Sequence, residues 1–133
     1  MKERLESQNG QKMHPKEGKN ETLILDELDF NSNTPFLRKQ NFGGLFPDSI
    51  GKYISAIVEV DEEYHKSRES TKKHDKIKNE YYISKGYIPI HIKESEWFED
   101  KELQIIKFQE TIKFLEQVQL LTNEQIFKNK VLL

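Results

Sequence analysis

Tyr53 to Asp61, which reads YISAIVEVD, constrains the fold of this chain more than any other stretch. Its β-branched residues Ile54, Ile57, Val58 and Val60 make a strand too apolar for a solvated sheet edge. The run closes with two acids. Strands alternate their faces, so Glu59 and Asp61 project to one side and Val60 to the other. Burying a charge without a partner costs several kcal/mol, so such carboxylates are paired, exposed or bound to a metal. Asp48, expected to be exposed at the start of a hairpin, is a candidate third carboxylate from the neighbouring strand. Hard oxygen ligands of this kind suit magnesium.

The other elements arrange themselves around that strand. Residues 1–17 are polar and aperiodic and are expected to form a loose arm. KNETLILDELDF predicts a helix, with Asn20 available as N-cap and Leu23, Ile24 and Leu28 as its apolar stripe. NSNTP breaks it. Phe36–Asn41 and Leu45–Ile50 predict two strands joined through Gly43-Gly44, and Gly51-Lys52 turns the chain into the central strand. After the loop EEYHKSR a helix is predicted from about Glu69 to Lys85, closed by Gly86 at C′. Tyr87–Lys93 follows as a strand, in which Pro89 needs an edge, a bulge or an outward-facing amide. A last helix is predicted from about Glu99 to Leu120, with Leu103, Ile106, Ile112 and Leu115 on its buried side. Trp97, near its start, reads as a packing anchor.

Two short connections imply antiparallel hairpins, and the helical crossover implies a right-handed parallel pair. The expected fold is therefore α/β: a mixed central β-sheet flanked by helices. The expected domain covers 18–121, with the ambiguous segment 122–133 as a tail and candidate interface.

Composition narrows the function classes. A chain of 133 residues fits one domain with a limited core. No run approaches the roughly 20 apolar residues that span a bilayer, and MKERLESQNG has no apolar signal core. Absence of cysteine excludes disulfides, thiol nucleophiles and zinc–thiolate sites. A cytoplasmic protein is the default expectation. The net charge of −2 decides nothing by itself. The basic residues, however, are clustered: Lys66, Arg68, Lys72, Lys73, Lys76 and Lys78 follow directly after the acids, and Arg38 and Lys39 precede them. Taken alone, a lysine run reads first as a solvated helix face, but its place directly after the carboxylates shifts the reading towards phosphate binding, where lysines would neutralise a polyanion beside the metal.

Three stretches in register resemble the restriction-endonuclease-like nucleases of the PD-(D/E)XK superfamily, particularly small members similar to very-short-patch-repair endonucleases. They are FLRKQNFGGLFPDSI, AIVEVDEEYH and DKIKNEYYISKGYIPIHI. Together they cover about half the chain. The resemblance implies an α/β sandwich and a DNA endonuclease using Mg2+ or Mn2+. Asp48 would be the central metal ligand, Glu59 the second, and the Val60 carbonyl would complete the inner sphere. Asp61 stands where the motif has its lysine. His65 would act as general base or leaving-group stabiliser. Glu21 matches an acid that faces the site from the first helix, although Glu17, Asp26 or Glu27 would serve in another register. Asp75 and Lys78 match a pair on the crossover helix. Arg38, Lys39, Lys66, Lys72, Lys73 and Lys78 would contact DNA.

The chemistry is coherent without the family. Phosphodiester hydrolysis needs charge neutralisation, an activated water and protonation of the departing oxygen, and metals with a histidine supply these. Each residue alone has a plainer reading: Asp48 as a turn aspartate after Pro47, Glu59 and Asp61 as edge-strand charges, Tyr64, Tyr81 and Tyr82 as core or rim. His14, His74 and His91 show no ligand spacing. Two other functions stay open: a nuclease-fold DNA-binding subunit without its own catalysis, and a small α/β interaction protein. Little chain remains outside the minimal fold to read bases, so a homodimer or a partner protein of a defence or mobile-element system is expected. The last helix and Val131-Leu132-Leu133 are the candidate contact.

Overall fold

The computed structural model describes residues 18–62 and 69–132. In chain order the elements are α1 (Lys19–Phe30), β1 (Phe36–Arg38), β2 (Ser49–Gly51), β3 (Ala56–Asp61), α2 (Glu69–Ser84), β4 (Ile88–Lys93), α3 (Glu94–Glu99) and α4 (Lys101–Leu132). The four strands form one sheet in the order β1-β2-β3-β4. β1/β2 and β2/β3 pair antiparallel and β3/β4 parallel, so the fold is α/β with a mixed sheet, as expected. Pro89 lies in β4 opposite Ile57, and β4 is an edge strand, so its missing N–H costs no ladder bond.

β3 is apolar from Ala56 to Val58 and again at Val60 because both of its faces are covered. Ala56, Val58 and Val60 join Ile24, Leu25 and Leu28 of α1, Trp97 of α3 and Ile105, Phe108 and Ile112 of α4 in the main core. The other face puts Ile57 beside Ile50 and Tyr82 of α2, with Phe42, Leu45, Tyr81 and Tyr87 packed around them. Burial of each such side chain stabilises by about 1.5–3 kcal/mol. A polar residue on either face would lose that contribution. Trp97 is fully buried, as its reading as an anchor requires. α2 ends in a Schellman motif: Gly86 at φ 87° lets its N–H reach Ile83 O at 2.9 Å and the Tyr87 N–H reach Tyr82 O at 3.0 Å.

Several boundaries differ from the sequence expectation. Gly18, not Asn20, is the N-cap of α1; Asn20 Nδ2 instead donates to Glu94 Oε2 at 2.6 Å and ties α1 to α3. Leu23 is about half exposed, and Leu25 takes its place in the core. β1 stops at Arg38 because Lys39 leaves the extended conformation, at φ 52°. Gly43 and Gly44, both at positive φ, close a tight turn across the Phe42–Leu45 bridge, but β2 starts only at Ser49, beyond the donor-less Pro47.

A short helix, α3, precedes the last one. Asp100 interrupts the helical backbone at φ −152°, ψ 84°, and its Oδ1 accepts the Leu103 N–H at 3.2 Å to cap α4. Leu103 and Ile106 are exposed, while Ile105, Phe108 and Ile112 are buried. Apolar residues on several sides of α4 support more than one stripe at helical spacing, and packing selects one. Backbone helix continues through residues 122–132, the segment expected to be a tail. Among the described residues no helix is long and apolar enough to cross a membrane.

Candidate active site

Strand register brings four polar residues to one level of the sheet. β1 and β2 pair Arg38 with Ser49; one step further sets Lys39 opposite Asp48, whose carbonyl accepts the Lys39 N–H at 3.4 Å. β2 and β3 pair Ser49 with Val58, and the next step sets Asp48 opposite Glu59. β3 and β4 pair Glu59 directly with His91. Lys39, Asp48, Glu59 and His91 thus cross the sheet in one row, near the carboxyl ends of β3 and β4. Open α/β sheets bind their ligands at that edge.

Lys39 is the only non-glycine residue with positive φ among the described residues. For an L-residue that conformation costs about 1–2 kcal/mol. It coincides with an ammonium set between two acids: Nζ lies 2.6 Å from Glu21 Oε2 and 2.8 Å from Asp48 Oδ1. Burial alone would depress the Lys39 ammonium, but the bonds to Asp48 and Glu21 outweigh it and hold its pKa above the ordinary value. Burial raises the Glu21 carboxyl, aided by repulsion from Asp48 and opposed by Lys39. Glu21 Oε2 meets the ammonium in a close ion pair. α1 therefore delivers Glu21 to the site. Asp26 goes elsewhere: with Asp29 it binds the Arg38 guanidinium, at 3.0 and 2.7 Å, away from the row.

Asp48 is buried rather than exposed, behind a fully buried Pro47. Its Oδ2 accepts the Val60 N–H at 2.8 Å, so Val60 enters the site through its amide. Glu59 is buried as well, and Tyr82 OH donates to its Oε2 at 3.1 Å. Burial, reinforced by repulsion from Asp48, pushes the Glu59 carboxyl up to about 7, against the opposing pull of Lys78, Tyr82 and His91. Burial and the neighbouring Glu59 also raise the Tyr82 hydroxyl, which stays a donor.

α2 covers this face of the sheet with residues at helical spacing: Asp75, Lys78, Asn79 and Tyr82. Asn79 Oδ1 lies 2.9 Å from His91 Nε2, and both Asp61 oxygens lie 3.1 Å from His91 Nδ1. Both ring nitrogens face acceptors, the pattern of an imidazolium. The bond to Asp61 raises the His91 pKa despite burial, with Glu59 and Asp75 adding to the effect. Lys72 and Lys73 are exposed on α2, and Lys78 is half-buried beside the row. His65 and Lys66 lie outside the described residues.

The structure thus brings together Glu21, Lys39, Asp48, Glu59, Asp61 and Lys78, and sets Arg38 apart. His91, Tyr82 and Asn79 join the site although the sequence reading did not place them there. The signal for His91 was its alternation with Pro89 in YIPIHIK, which puts it beside Glu59 once the parallel register is known. Comparison with protein-family models, curated proteins and solved structures finds no match to this chain.

Among the described residues no three of His, Asp and Glu are grouped closely enough to hold a metal ion. The donor chemistry nevertheless fits a hard cation. Asp48 and Glu59 repel each other at one level of the sheet, and carboxylate oxygens already hydrogen-bonded keep further lone pairs.

Proposed function

We propose that the protein is a metal-dependent DNA endonuclease of the restriction-endonuclease-like kind, hydrolysing phosphodiester bonds in the cytoplasm. One observation carries the reading: buried Asp48 and Glu59 face one another across β2 and β3, with cationic Lys39 and His91 at the two ends of their row. Sites for chemistry bring buried carboxylates into mutual repulsion in this way.

Asp48 and Glu59 would hold Mg2+ or Mn2+, with a role for the Val60 carbonyl belonging to the same proposal. The ion, when bound, supplies Lewis-acid charge neutralisation and a water nucleophilic near neutral pH. The residues do the rest. The Val60 N–H holds the Asp48 carboxylate in place, and Tyr82 OH fixes one oxygen of Glu59. Asp61, in the position of the motif's lysine, orients His91 instead. Positive charge at the reacting phosphate comes from Lys39, Lys78 and His91. An imidazolium at His91 can give its proton to a departing oxygen, a task for which His65 remains the other candidate. Lys72 and Lys73 would contact neighbouring phosphates of the DNA. Pairing with a second copy or a partner protein would supply specificity.

Supercoiled plasmid incubated with the purified protein and Mg2+ or Mn2+ tests the reading, with EDTA and Asp48→Ala as controls. Metal-dependent nicking or linearisation absent from the variant is expected. Salt-sensitive DNA binding with no cleavage would replace the reading with that of a DNA-binding subunit, and neither activity would sink both.

A further inference from the structure

The two gaps between acids in this site are filled differently. Between Glu21 and Asp48 stands an ammonium, in contact with both at 2.6 and 2.8 Å. Between Asp48 and Glu59 there is repulsion, and the hydroxyl that contacts Glu59, from Tyr82, is neutral. Asp48 is shared by both gaps. Two-metal phosphodiesterases place their ions about 3.5–4 Å apart. In this chain one side of the shared carboxylate already carries a fixed positive charge.

We propose that the Lys39 ammonium is a built-in second cation, so that the site takes a single divalent ion, at Asp48 and Glu59, and loss of the Lys39 charge opens a second position at Glu21 and Asp48. The inference rests on the metal-dependent reading above. Three features support it. The Glu21 side chain is largely buried, so its charge needs a partner inside the protein. Its Oε2 lies 2.6 Å from the ammonium and relies on it. Lys39 also departs from the extended backbone at the first residue after β1, and its N–H bonds to the Asp48 carbonyl, so backbone and side chain are both anchored to the same aspartate. Removing the charge while keeping the chain length leaves Glu21 and Asp48 as a second pair of facing carboxylates, the donor type a divalent ion prefers.

Counting bound Mn2+ by the loss of its free-ion electron paramagnetic resonance signal tests this without reference to cleavage. The full chain and Lys39→Met, Lys39→Gly and Lys39→Arg are titrated with Mn2+ alone, and circular dichroism checks each fold. Glycine accepts the positive φ at residue 39, so a neutral variant remains if methionine disturbs the backbone. One Mn2+ is expected for the native chain and Lys39→Arg, and two for the neutral variants. Equal counts in all four proteins overturn the built-in cation while leaving the metal site intact. Failure of every protein to bind Mn2+ removes the metal-dependent reading itself, and this inference with it.

Discussion

Nδ1 of His91 lies 3.1 Å from both carboxylate oxygens of Asp61, joining β4 to the carboxyl end of β3 across a helical crossover. The two side chains belong to neighbouring registers of the parallel pair, Glu59↔His91 and Asp61↔Lys93, and meet diagonally on one face.

This pair makes His91 titrate above the ordinary 6.5. Asp61→Asn is expected to lower its midpoint, read from the imidazole resonances by NMR. The sign for stability follows from the upward displacement. The folded form binds the proton more tightly, so the contribution is present below the ordinary histidine pKa and is lost as pH rises through the raised one. Asp61→Asn should therefore destabilise the protein more at pH about 5.5 than at about 8.5. An unmoved midpoint would show that the contact is not ionic.

Glu59 gives the same slope with pH, but as a growing cost rather than a fading gain. An acid raised from 4.5 to about 7 binds its proton more tightly when folded, so its burial progressively destabilises the fold as pH climbs through that window. Glu59→Gln is then expected to gain stability relative to the native chain between those pH values and to level off above them. The gain is at most about 3 kcal/mol, since every tenfold change in proton affinity is worth about 1.4 kcal/mol. Urea unfolding across the pH range checks this, and parallel stability curves would contradict it. Cleavage, under the proposed function, should fall in the same variant by about two orders of magnitude or more.

Arg38 and the α2 lysines should separate in DNA binding. Removing Lys72 and Lys73 together is expected to flatten the dependence of log K on log salt, by about 0.9 for each phosphate no longer neutralised. Arg38→Ala should leave that slope unchanged and lower the melting temperature instead, because Asp26 and Asp29 lose their shared partner. Fluorescence anisotropy at several salt concentrations distinguishes the two.

Gly51 and Gly43 are close-approach positions with different tolerances. A Cβ on Gly51 would collide with the backbone carbonyl of Ile54, which cannot swing away; one on Gly43 would meet the Tyr81 hydroxyl and also suffer the positive φ. Gly51→Ala is expected to cost about 3 kcal/mol, the upper end for overpacking. Gly43→Ala should be partly relieved by Tyr81→Phe, which takes away the nearest atom. Thermal unfolding of the single and double variants reads both outcomes.

Much of the architecture was legible because it follows from local pattern. The β-branched run of β3, the glycine turn at Gly43-Gly44, the Gly86 stop and the length of the crossover each act over a few residues, and they imply the mixed sheet. Choices among near-equal local options were not legible. α4 has apolar residues on several sides, and only the shape of the core selects Ile105 and Phe108 over Leu103 and Ile106. Asp48 looked like a turn aspartate on the surface; burial came from Pro47 and from strands β2 and β3 closing over it.

Local pattern suffices to say which residues carry charge at the end of β3 and that Glu59 and Asp61 share a face, because strand alternation is a property of the backbone. Tertiary structure alone decided their partners. His91, Asn79 and Tyr82 reach the acids through the β3/β4 register and the docking of α2, and Lys39 reaches Asp48 through the β1/β2 register. Register and docking are settled by how side chains fill the space between elements, a relation among residues distant in the chain that no local pattern encodes.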